Sequence, residues 1–362
     1  MSPGDAAGSG WRCRGIRAVP LQGEGDGVVD VEVASTRPRR LERPGGGTRE
    51  DPVDELLVER ERRRVVQAGA LPQDLGGAEQ RPRSHHIARA GPTDRVLPDT
   101  RVLAYVLIPF LVAAAFLLLV LPGATEQHFA WTIAPPITAM LLGSAYAGGI
   151  WFFVQVAVQR QWHRVRHGFP AVLVFATLLC AATFIHLEKF HFGHISFVTW
   201  VALYVSTPVL VLIAIVLNLR EDDRRPEGDD VEIPAPWRYV LALVGAAASV
   251  TGFVLFLVPS LLIDAWAWEI TPLTARVVGA VLTLPGMVNV WMLWDDRWSA
   301  FRRLFQAKLV SLACILLAIA VRFGDLEWAR PSAWLFAVGI VVSAVVYVVF
   351  YVSLERRGPR SV

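Results

Sequence analysis

The sequence predicts an all-α integral membrane protein with eight transmembrane helices, arranged as two tandem, parallel four-helix repeats and preceded by a disordered N-terminal tail. Three observations predict this fold class. Of the 362 residues, 54% are hydrophobic. Beyond about residue 102 they form runs of roughly 20 residues, the length that crosses a hydrocarbon core of ~30 Å. Basic residues accumulate in alternate loops, and one tryptophan–proline motif occurs twice.

The first segment, residues 1–98, is predicted to be a disordered cytosolic tail. It is rich in Gly, Pro and Arg and has almost no apolar periodicity, so it cannot bury enough surface to offset the entropy of ordering. Its best helical stretch, residues 53–67, would be marginal alone. No signal peptide is predicted, because no apolar core follows a basic start. The tail is either genuine or an over-extended translation start.

The eight predicted spans are separated by Pro-Gly or charged breaks. They cover about residues 102–121, 135–158, 170–187, 197–219, 239–259, 273–294, 309–323 and 333–354. The seventh span is the shortest, because the charged stretch 295–308 is interpreted as a loop, so this span either extends into its flanking residues or tilts less than the others. The predicted domains are therefore a first membrane repeat, a cytosolic linker, a second membrane repeat and a cytosolic C-terminal tail, at residues 99–220, 221–237, 238–355 and 356–362.

The loop charges predict the orientation. One set of loops and the C-terminal tail contain fourteen Lys and Arg residues, if the basic residues of 295–308 are included. The alternate loops contain only Lys189 and Arg330, with Arg276 and Arg322 just inside the adjoining helix ends. Because cytoplasmic loops carry the excess of basic residues, we expect a cell-membrane protein with both termini in the cytosol.

Internal sequence matches predict the repeat. The motif at 131–135, a Trp four residues before a Pro, recurs at 268–272, and residues 162–174 match 298–310 at an offset of 136. Each repeat contains four spans, an even number, so both copies enter the membrane in the same direction. They are predicted to be related by an axis along the membrane normal.

A histidine cluster at the outer end of the third predicted span is a candidate metal site. His186, Glu188, His191 and His194 fall within nine residues, and His128 in a neighbouring loop could add a ligand. Neutral imidazole suits Zn, Cu or Fe, so a bound metal or haem is one hypothesis. The alternative is an interfacial loop, because separations of five and three residues do not give the i,i+4 pair of a helical metal site.

A second candidate is an outward-facing cleft between the repeats, which would bind a small molecule or a lipid. Its predicted ligand-binding residues are Trp131, Trp268, Glu269, Arg276 and Arg322. The two tryptophans would flank the cleft and Arg276 would contact an anion. The alternative is that the tryptophans anchor the chain at the membrane interface and that Arg322 reaches the headgroups.

The sequence contains no motif that indicates another class of catalytic or binding site. Ionisable residues are predicted to be nearly absent from the middle of the spans, where Gln155 and Asn289 are the main polar residues. The membrane region has no nucleotide-binding, zinc-protease or nucleophile-elbow motif. Cys13, Cys180 and Cys314 lack metal or redox spacing. The net charge of +3 does not suggest nucleic-acid binding. No catalytic residue or specific cofactor is therefore assigned.

Three functions are compatible with the sequence. The first is a permease-like or lipid-handling protein that uses the cleft between the repeats. The second is a metal- or haem-linked membrane enzyme built on His186, His191 and His194. The third is a non-catalytic scaffold or assembly partner in the membrane. The first is favoured by analogy, because tandem repeats recur in transporters, and an enzyme is the less favoured interpretation.

Overall fold

The computed structural model describes residues 93–221 and 230–357. Within these residues it is all-helical without strands, and eight helices are long and apolar enough to cross a membrane. We label them α1 to α8: Pro98–Val120, Pro136–Val158, Gly168–Ile185, Ile195–Asn218, Ala235–Leu257, Pro272–Asn289, Trp298–Val321 and Pro331–Glu355. A short 3₁₀ segment, Val290–Leu293, prolongs α6. The chain is thus a multi-span helical protein of the membrane type.

Parts of the predicted domain scheme lie outside the described residues. These parts are the tail up to residue 92, with its helical stretch at 53–67, linker residues 222–229 and residues 358–362. Near the first span, α1 begins at Pro98, four residues before the predicted start. The backbone N–H of Val96 donates to the carbonyl of Arg160 at 2.9 Å, so residues just before α1 pack against the loop that follows α2.

Helix starts follow from proline chemistry. Four helices begin at a proline, namely Pro98, Pro136, Pro272 and Pro331. The first helical position has no intrahelical partner for its N–H, so proline loses nothing there and its fixed φ suits the helix. The repeated Trp–Pro motif therefore lies immediately before the first turns of α2 and α6.

The seventh span begins earlier than its predicted bounds. We expected a loop at 295–308 and a short span at 309–323, but α7 begins at Trp298 and contains 24 residues. Lys and Arg are good helix formers, so a charged stretch need not be a loop. The side chain of Arg302 pairs with α8 and that of Lys308 turns into the bundle, which gives both a partner. Lys308 is therefore no cytosolic loop residue.

Helices α2 and α6 form the centre of the bundle. Of their most apolar 18-residue windows, 72% and 67% of the residues are buried, against 17–44% in the other six helices. Helix α1 packs on α2, and α5 packs on α6. Across the centre, α2 packs against α7 and α3 packs against α6. The outer helices α4 and α8 lie on α3 and α7 respectively.

Glycines bring α5 and α6 into backbone contact. A Cβ added to Gly286 would lie 2.2 Å from the carbonyl oxygen of Gly245 and still closer to the hydroxyl of Ser249. A Cβ added to Gly279 would lie 2.5 Å from the carbonyl oxygen of Gly252. Only residues without a side chain permit this approach, which is how small residues drive helix association in lipid.

The buried apolar residues form two clusters at opposite ends of the bundle. One contains Trp131, Trp200 and Trp268 near the starts of α2, α4 and α6. The other contains Trp162 and Trp298, near the starts of α3 and α7. The central region between these clusters contains a cavity, which is the candidate site.

Candidate functional site

The two motif tryptophans are core residues. Trp131 is 1% exposed and packs edge-on against Trp200, with ring centroids 4.7 Å apart. Trp268 is fully buried, and its indole N–H donates to the hydroxyl of Thr138 in α2 at 2.8 Å. Their rings fix the helix starts instead of flanking an open cleft. Neither lines the central cavity.

The other three predicted ligand residues lie in separate places near the same end of the bundle. Glu269 is exposed. Arg276 at the start of α6 donates through Nη1 to Nε2 of His186 at 2.7 Å. Arg322 at the end of α7 pairs with Asp325, with Nε and Oδ2 3.4 Å apart. The structure thus joins Arg276 to the histidine cluster, and none of the five predicted residues lines the central cavity.

The histidine cluster is divided among local hydrogen bonds. Nδ1–H of His191 donates to the carbonyl of Phe129, and Nδ1 of His194 accepts from the backbone N–H of Ser196, capping α4. The nearest oxygen of Glu188 lies 3.8 Å from Nδ1 of His186. Among the described residues, no three His, Cys, Asp or Glu side chains gather in a way that could hold a metal ion. The metal site stays a prediction without geometric support.

Burial sets the protonation state of His186. Burial lowers the pKa of the imidazole, the Arg276 guanidinium lowers it further, and the carboxylate of Glu188 opposes both. The 2.7 Å contact from Arg276 also requires an unprotonated Nε2 as acceptor. The neutral imidazole of His186 therefore ties the end of α3 to the start of α6.

A cavity of about 290 Å³ lies in the middle of the bundle. Every one of the eight helices contributes to its wall, and residues of both apolar clusters line it. Most of the lining is Leu, Val, Ala and Phe, with a few hydroxyl groups. Ligand pockets typically have volumes of roughly 300–1,000 Å³ and mostly apolar walls, so this cavity lies at the small end of that class.

Lys308 is the one charged residue among the described residues that line this cavity. It lies ten residues into α7, which corresponds to a depth of about 15 Å at 1.5 Å per residue. From the sequence we expected it in a cytosolic loop and expected almost no ionisable residue in the middle of the spans, and this expectation was wrong. An ionisable side chain at such a depth marks a candidate functional site by default.

The amine of Lys308 is held by polar groups without charge. Its Nζ donates to the side-chain oxygen of Asn289 and lies 3.4 Å from the carbonyl of Pro285, both in α6. It also lies over the rings of Phe305 and Tyr347, 4.8 and 5.3 Å from their centroids. None of the described carboxylates forms an ion pair with it.

Asn289 connects this lysine to α5 and α8. Its amide nitrogen donates to the carbonyl of Leu241 at 2.8 Å and to the hydroxyl of Tyr347 at 2.9 Å. Both N–H groups of the amide are thereby used, so its oxygen faces Lys308. The asparagine that the sequence marked as a rare polar residue is thus a fixed support for the amine.

Further polar groups lie on the wall contributed by the first four helices. The hydroxyls of Tyr146 and Tyr204 are 2.6 Å apart, so one donates a hydrogen bond to the other. Thr207 of α4 is 6% exposed, and its hydroxyl has no partner among the described residues. A buried hydroxyl without a partner is uncommon, and in a cavity wall it is open to a ligand.

The wall of the cavity beside α5 includes a residue that is also exposed on the outside of the bundle. Val244 lines the cavity and is also 44% exposed, and Ala248 one turn later lines it too. Helix α5 faces lipid over much of its length, with exposed residues such as Leu243 and Val250. Val244 is therefore a position at which the lining of the cavity and the exposed surface of the bundle meet.

A second charged cluster lies where α3 and α7 begin. Asp295 is 8% exposed, and its carboxylate contacts Arg166 at 2.6 Å, His167 at 2.8 Å and Arg297 at 2.9 Å. Burial alone would raise the pKa of this carboxyl, but hydrogen bonds from His167, Arg297 and Arg166 outweigh it and hold the pKa far below its usual range. The cluster ties the loop before α3 to the loop before α7.

The internal repeat contains a signal that could have placed Lys308 correctly. Residues 162–174 match 298–310, and the matched stretch of the first half belongs in part to the third predicted span. Carrying that helix across to the second half would have placed Lys308 inside a span, opposite Val172 in the alignment. The predicted start of the seventh span was wrong because the charge of residues 295–308 indicates a loop, whereas their match to the first half indicates a helix.

Comparison with known proteins adds no family to this description. No protein-family model, no curated protein and no solved structure matches the chain.

Proposed function

We propose that this chain is a lipid-handling, permease-like membrane protein that takes an apolar molecule from the bilayer into the central cavity. The observation that carries the proposal is the cavity itself, which has an almost wholly apolar wall built from all eight helices. A void between well-packed helices forfeits packing energy, so its retention favours a ligand. Val244 lines the cavity and is also exposed, which supports an opening beside α5 and entry from the lipid phase.

The position of the site differs from the one predicted from sequence. The predicted outward cleft used Trp131, Trp268 and the outer arginines, which support the helix ends in the structure. The proposed site lies deeper, between the halves, and takes molecules sideways from the membrane. The proposed class of function is the same, and its binding residues are different.

Photolabelling tests this function. The full chain is placed in nanodiscs with a diazirine-bearing dodecanol, irradiated, and digested for mass spectrometry. We expect adducts on peptides of α3 and α7 that line the cavity. Replacing Ala248→Trp should abolish these adducts, because the new indole fills the opening beside Val244. Labelling confined to lipid-exposed residues, and unchanged in the variant, would contradict the proposal.

The matched control lies one residue away. Ala247→Trp introduces the same side chain in the same helix, but Ala247 is exposed and does not line the cavity. This variant should retain the adducts on α3 and α7. Equal loss in both variants would indicate a general effect of tryptophan in α5, and the cavity would not be the binding site.

The two halves are proposed to be tandem parallel repeats. Backbone hydrogen bonds support this at offsets of 136 to 137. The N–H of His191 donates to the carbonyl of Ala130, and the N–H of Glu327 donates to that of Ala267, both at 2.9 Å. At the other end Val96 donates to Arg160, and Ile233 to Asp296, at 2.9 and 2.7 Å.

The helix pairings support the same arrangement. Contacts α1–α2 and α5–α6 correspond under the repeat, as do the crossed contacts α2–α7 and α3–α6. An experimental structure in which residues 98–218 superpose on 235–355 by rotation about the membrane normal would establish the repeat. A rotation axis lying in the membrane plane would exclude it.

The proposed location is the cell membrane, with the N- and C-termini in the cytosol. Removing Lys308 from the loop count leaves thirteen basic residues on one side against two to four on the other, so the bias that supports this orientation persists. Reporter fusions after residues 168 and 193 test it. The first should report the cytosol and the second the outside, and the same compartment for both would contradict the orientation.

A further inference from the structure

We infer that the cavity is a site for a single-chain amphiphile with one carboxylate, and that Lys308 binds that carboxylate while the apolar wall takes the chain. The inference rests on the proposed function and names the ligand class for the same cavity. It follows from the basic amine of the lysine in the cavity wall, the donor that its ammonium form leaves without an acceptor, and the size of the space.

A protonated Lys308 has no counter-charge in its surroundings. Its described neighbours are the amide of Asn289, the carbonyl of Pro285 and two aromatic rings, all without formal charge. An ammonium in the membrane interior is unfavourable unless it is paired. A carboxylic acid that enters the cavity transfers its proton to the amine and remains as the carboxylate counter-charge, so an acid binds here with an advantage over a neutral molecule of the same shape.

The hydrogen-bonding capacity of the lysine is also incomplete. An ammonium has three N–H donors. One donates to Asn289 and a second points toward the carbonyl of Pro285. The remaining donor has no acceptor among the described residues, although Lys308 lines the cavity. A ligand oxygen completes the set.

The number of charges selects a monoanion. Lys308 is the one charged residue among the described residues of the wall. A phosphate monoester carries nearly two negative charges at neutral pH and would leave one uncompensated in an apolar space. A carboxylate carries one. The hydroxyl of Thr207, which lacks a partner among the described residues, gives the wall a further polar contact for a substituted chain.

The cavity volume limits the size of the ligand. At about 290 Å³, it suits one small molecule with a single chain and is too small for a two-chain phospholipid. The opening beside Val244 faces the lipid phase, in which such acids dissolve. Fatty acids are the simplest members of the class.

Dodecanoate and dodecanol are the probes that test the inference, because they share a chain and differ in charge. Binding of each to the full chain in nanodiscs is measured by competition against the diazirine-bearing dodecanol. Wild-type protein should bind dodecanoate roughly tenfold or more tightly than Lys308→Met does, the loss expected when hydrogen bonds to a charged group are removed. Dodecanol should bind both proteins equally, which shows that the variant is folded.

Two further variants complete the design. Lys308→Arg retains the charge and should recover most of the dodecanoate binding. Arg303→Met removes a positive charge from the same helix, but Arg303 does not line the cavity, so dodecanoate binding should be unchanged.

The outcomes separate the two proposals. If dodecanoate binds Lys308→Met as tightly as wild type, the carboxylate site is wrong, while binding of dodecanol would still support the proposed function. If neither probe protects the cavity in wild-type protein, both proposals fail. Loss of dodecanol binding in Lys308→Met together with dodecanoate binding would overturn the assignment of Lys308 to the carboxylate.

Discussion

The two halves of the bundle have similar connections and different interiors. Under the proposed repeat, Lys308 of α7 corresponds to Val172 of α3, and both line the cavity. Asn289, which supports the lysine, corresponds to Phe152, a buried residue of an aromatic cluster. The first half thus supplies an apolar wall where the second supplies an amine. In a duplicated bundle one copy can maintain the packing while the other acquires binding chemistry.

The loops at the starts of α3 and α7 show the same division. Asp295 lies in the loop before α7 and joins Arg166, His167 and Arg297. The corresponding residue before α3 is Gln159, whose side chain contacts only its neighbour Gln155 among the described residues. Asp295 therefore adds an ionic contact between the halves at this end, beside the stacking of His167 on Trp291 and Phe301.

The largest effect on stability is expected from Asp295→Ala. Removing the carboxylate deletes the anion that two arginines and a histidine share at a mostly buried site, which should lower the free energy of unfolding by about 3–5 kcal/mol. Unfolding in mixed micelles with increasing SDS measures this. The corresponding change Gln159→Ala should stay within about 0.5 kcal/mol.

Either of two results would contradict the proposed difference between the loops before α3 and α7. Equal destabilisation by both changes would mean that the two loops contribute alike. A negligible effect of Asp295→Ala would mean that the cluster is solvated and does not hold the halves together.

The stability of the wild-type protein at acidic pH gives a second measurement of the Asp295 cluster. Because the folded pKa of Asp295 is lowered, its stabilisation is complete above the ordinary value of 3.8 and is lost only as the pH falls toward the folded pKa.

Gly286→Ala is expected to lower stability by less than Asp295→Ala does. The added methyl group would lie 2.2 Å from the carbonyl oxygen of Gly245, so α5 and α6 must separate. Such overpacking should lower stability by about 1–3 kcal/mol, measured in the same SDS titration. The corresponding first-half residue is Gly149, where the nearest atom to an added Cβ is a Leu111 methyl at 3.6 Å. Gly149→Ala should be tolerated, and equal effects would show that α1–α2 and α5–α6 pack alike.

The sequence was sufficient to predict the number and most of the bounds of the helices. Apolar length and helix-starting prolines such as Pro136 and Pro272 are local signals, and the described structure agrees with them. The predicted start of α7 was wrong because charge is a weak indicator of a helix end. Whether Lys308 faces water or the interior depends on α6 and α8, which supply its partners from distant parts of the chain.

The site was harder to predict than the fold for the same reason. Trp131 and Trp268 attract attention as a repeated motif, but a repeated motif can preserve packing as well as binding, and these rings are buried. The cavity arises from side chains of all eight helices, so no single stretch encodes it. Only the tertiary arrangement shows that Lys308, Asn289 and Tyr347 meet.

The smallest expected effect is on the pH dependence of stability, to which His186 contributes and its counterpart Arg322 does not. Burial and the Arg276 guanidinium lower the pKa of His186 below its ordinary value of 6.5. The unfolded chain therefore takes up a proton before the folded chain does, and stability is complete above about pH 6.5 and falls as the pH decreases from there toward the folded pKa. In His186→Gln the amide oxygen still accepts from Arg276 but does not titrate, so the fall between pH 8 and pH 5.5 should be smaller.

The pH series of SDS titrations needs two comparisons. His167 has a pKa lowered by burial and titrates in both proteins, so the difference between wild type and His186→Gln reports His186 alone. We expect this difference to be below about 1 kcal/mol, because Arg276 is partly exposed. Arg322→Gln should leave the pH dependence unchanged, since a guanidinium stays charged throughout this range. If His186→Gln and wild type lose stability in parallel as the pH falls, the contact between α3 and α6 does not depend on a neutral imidazole, and the two halves behave alike at this end of the bundle.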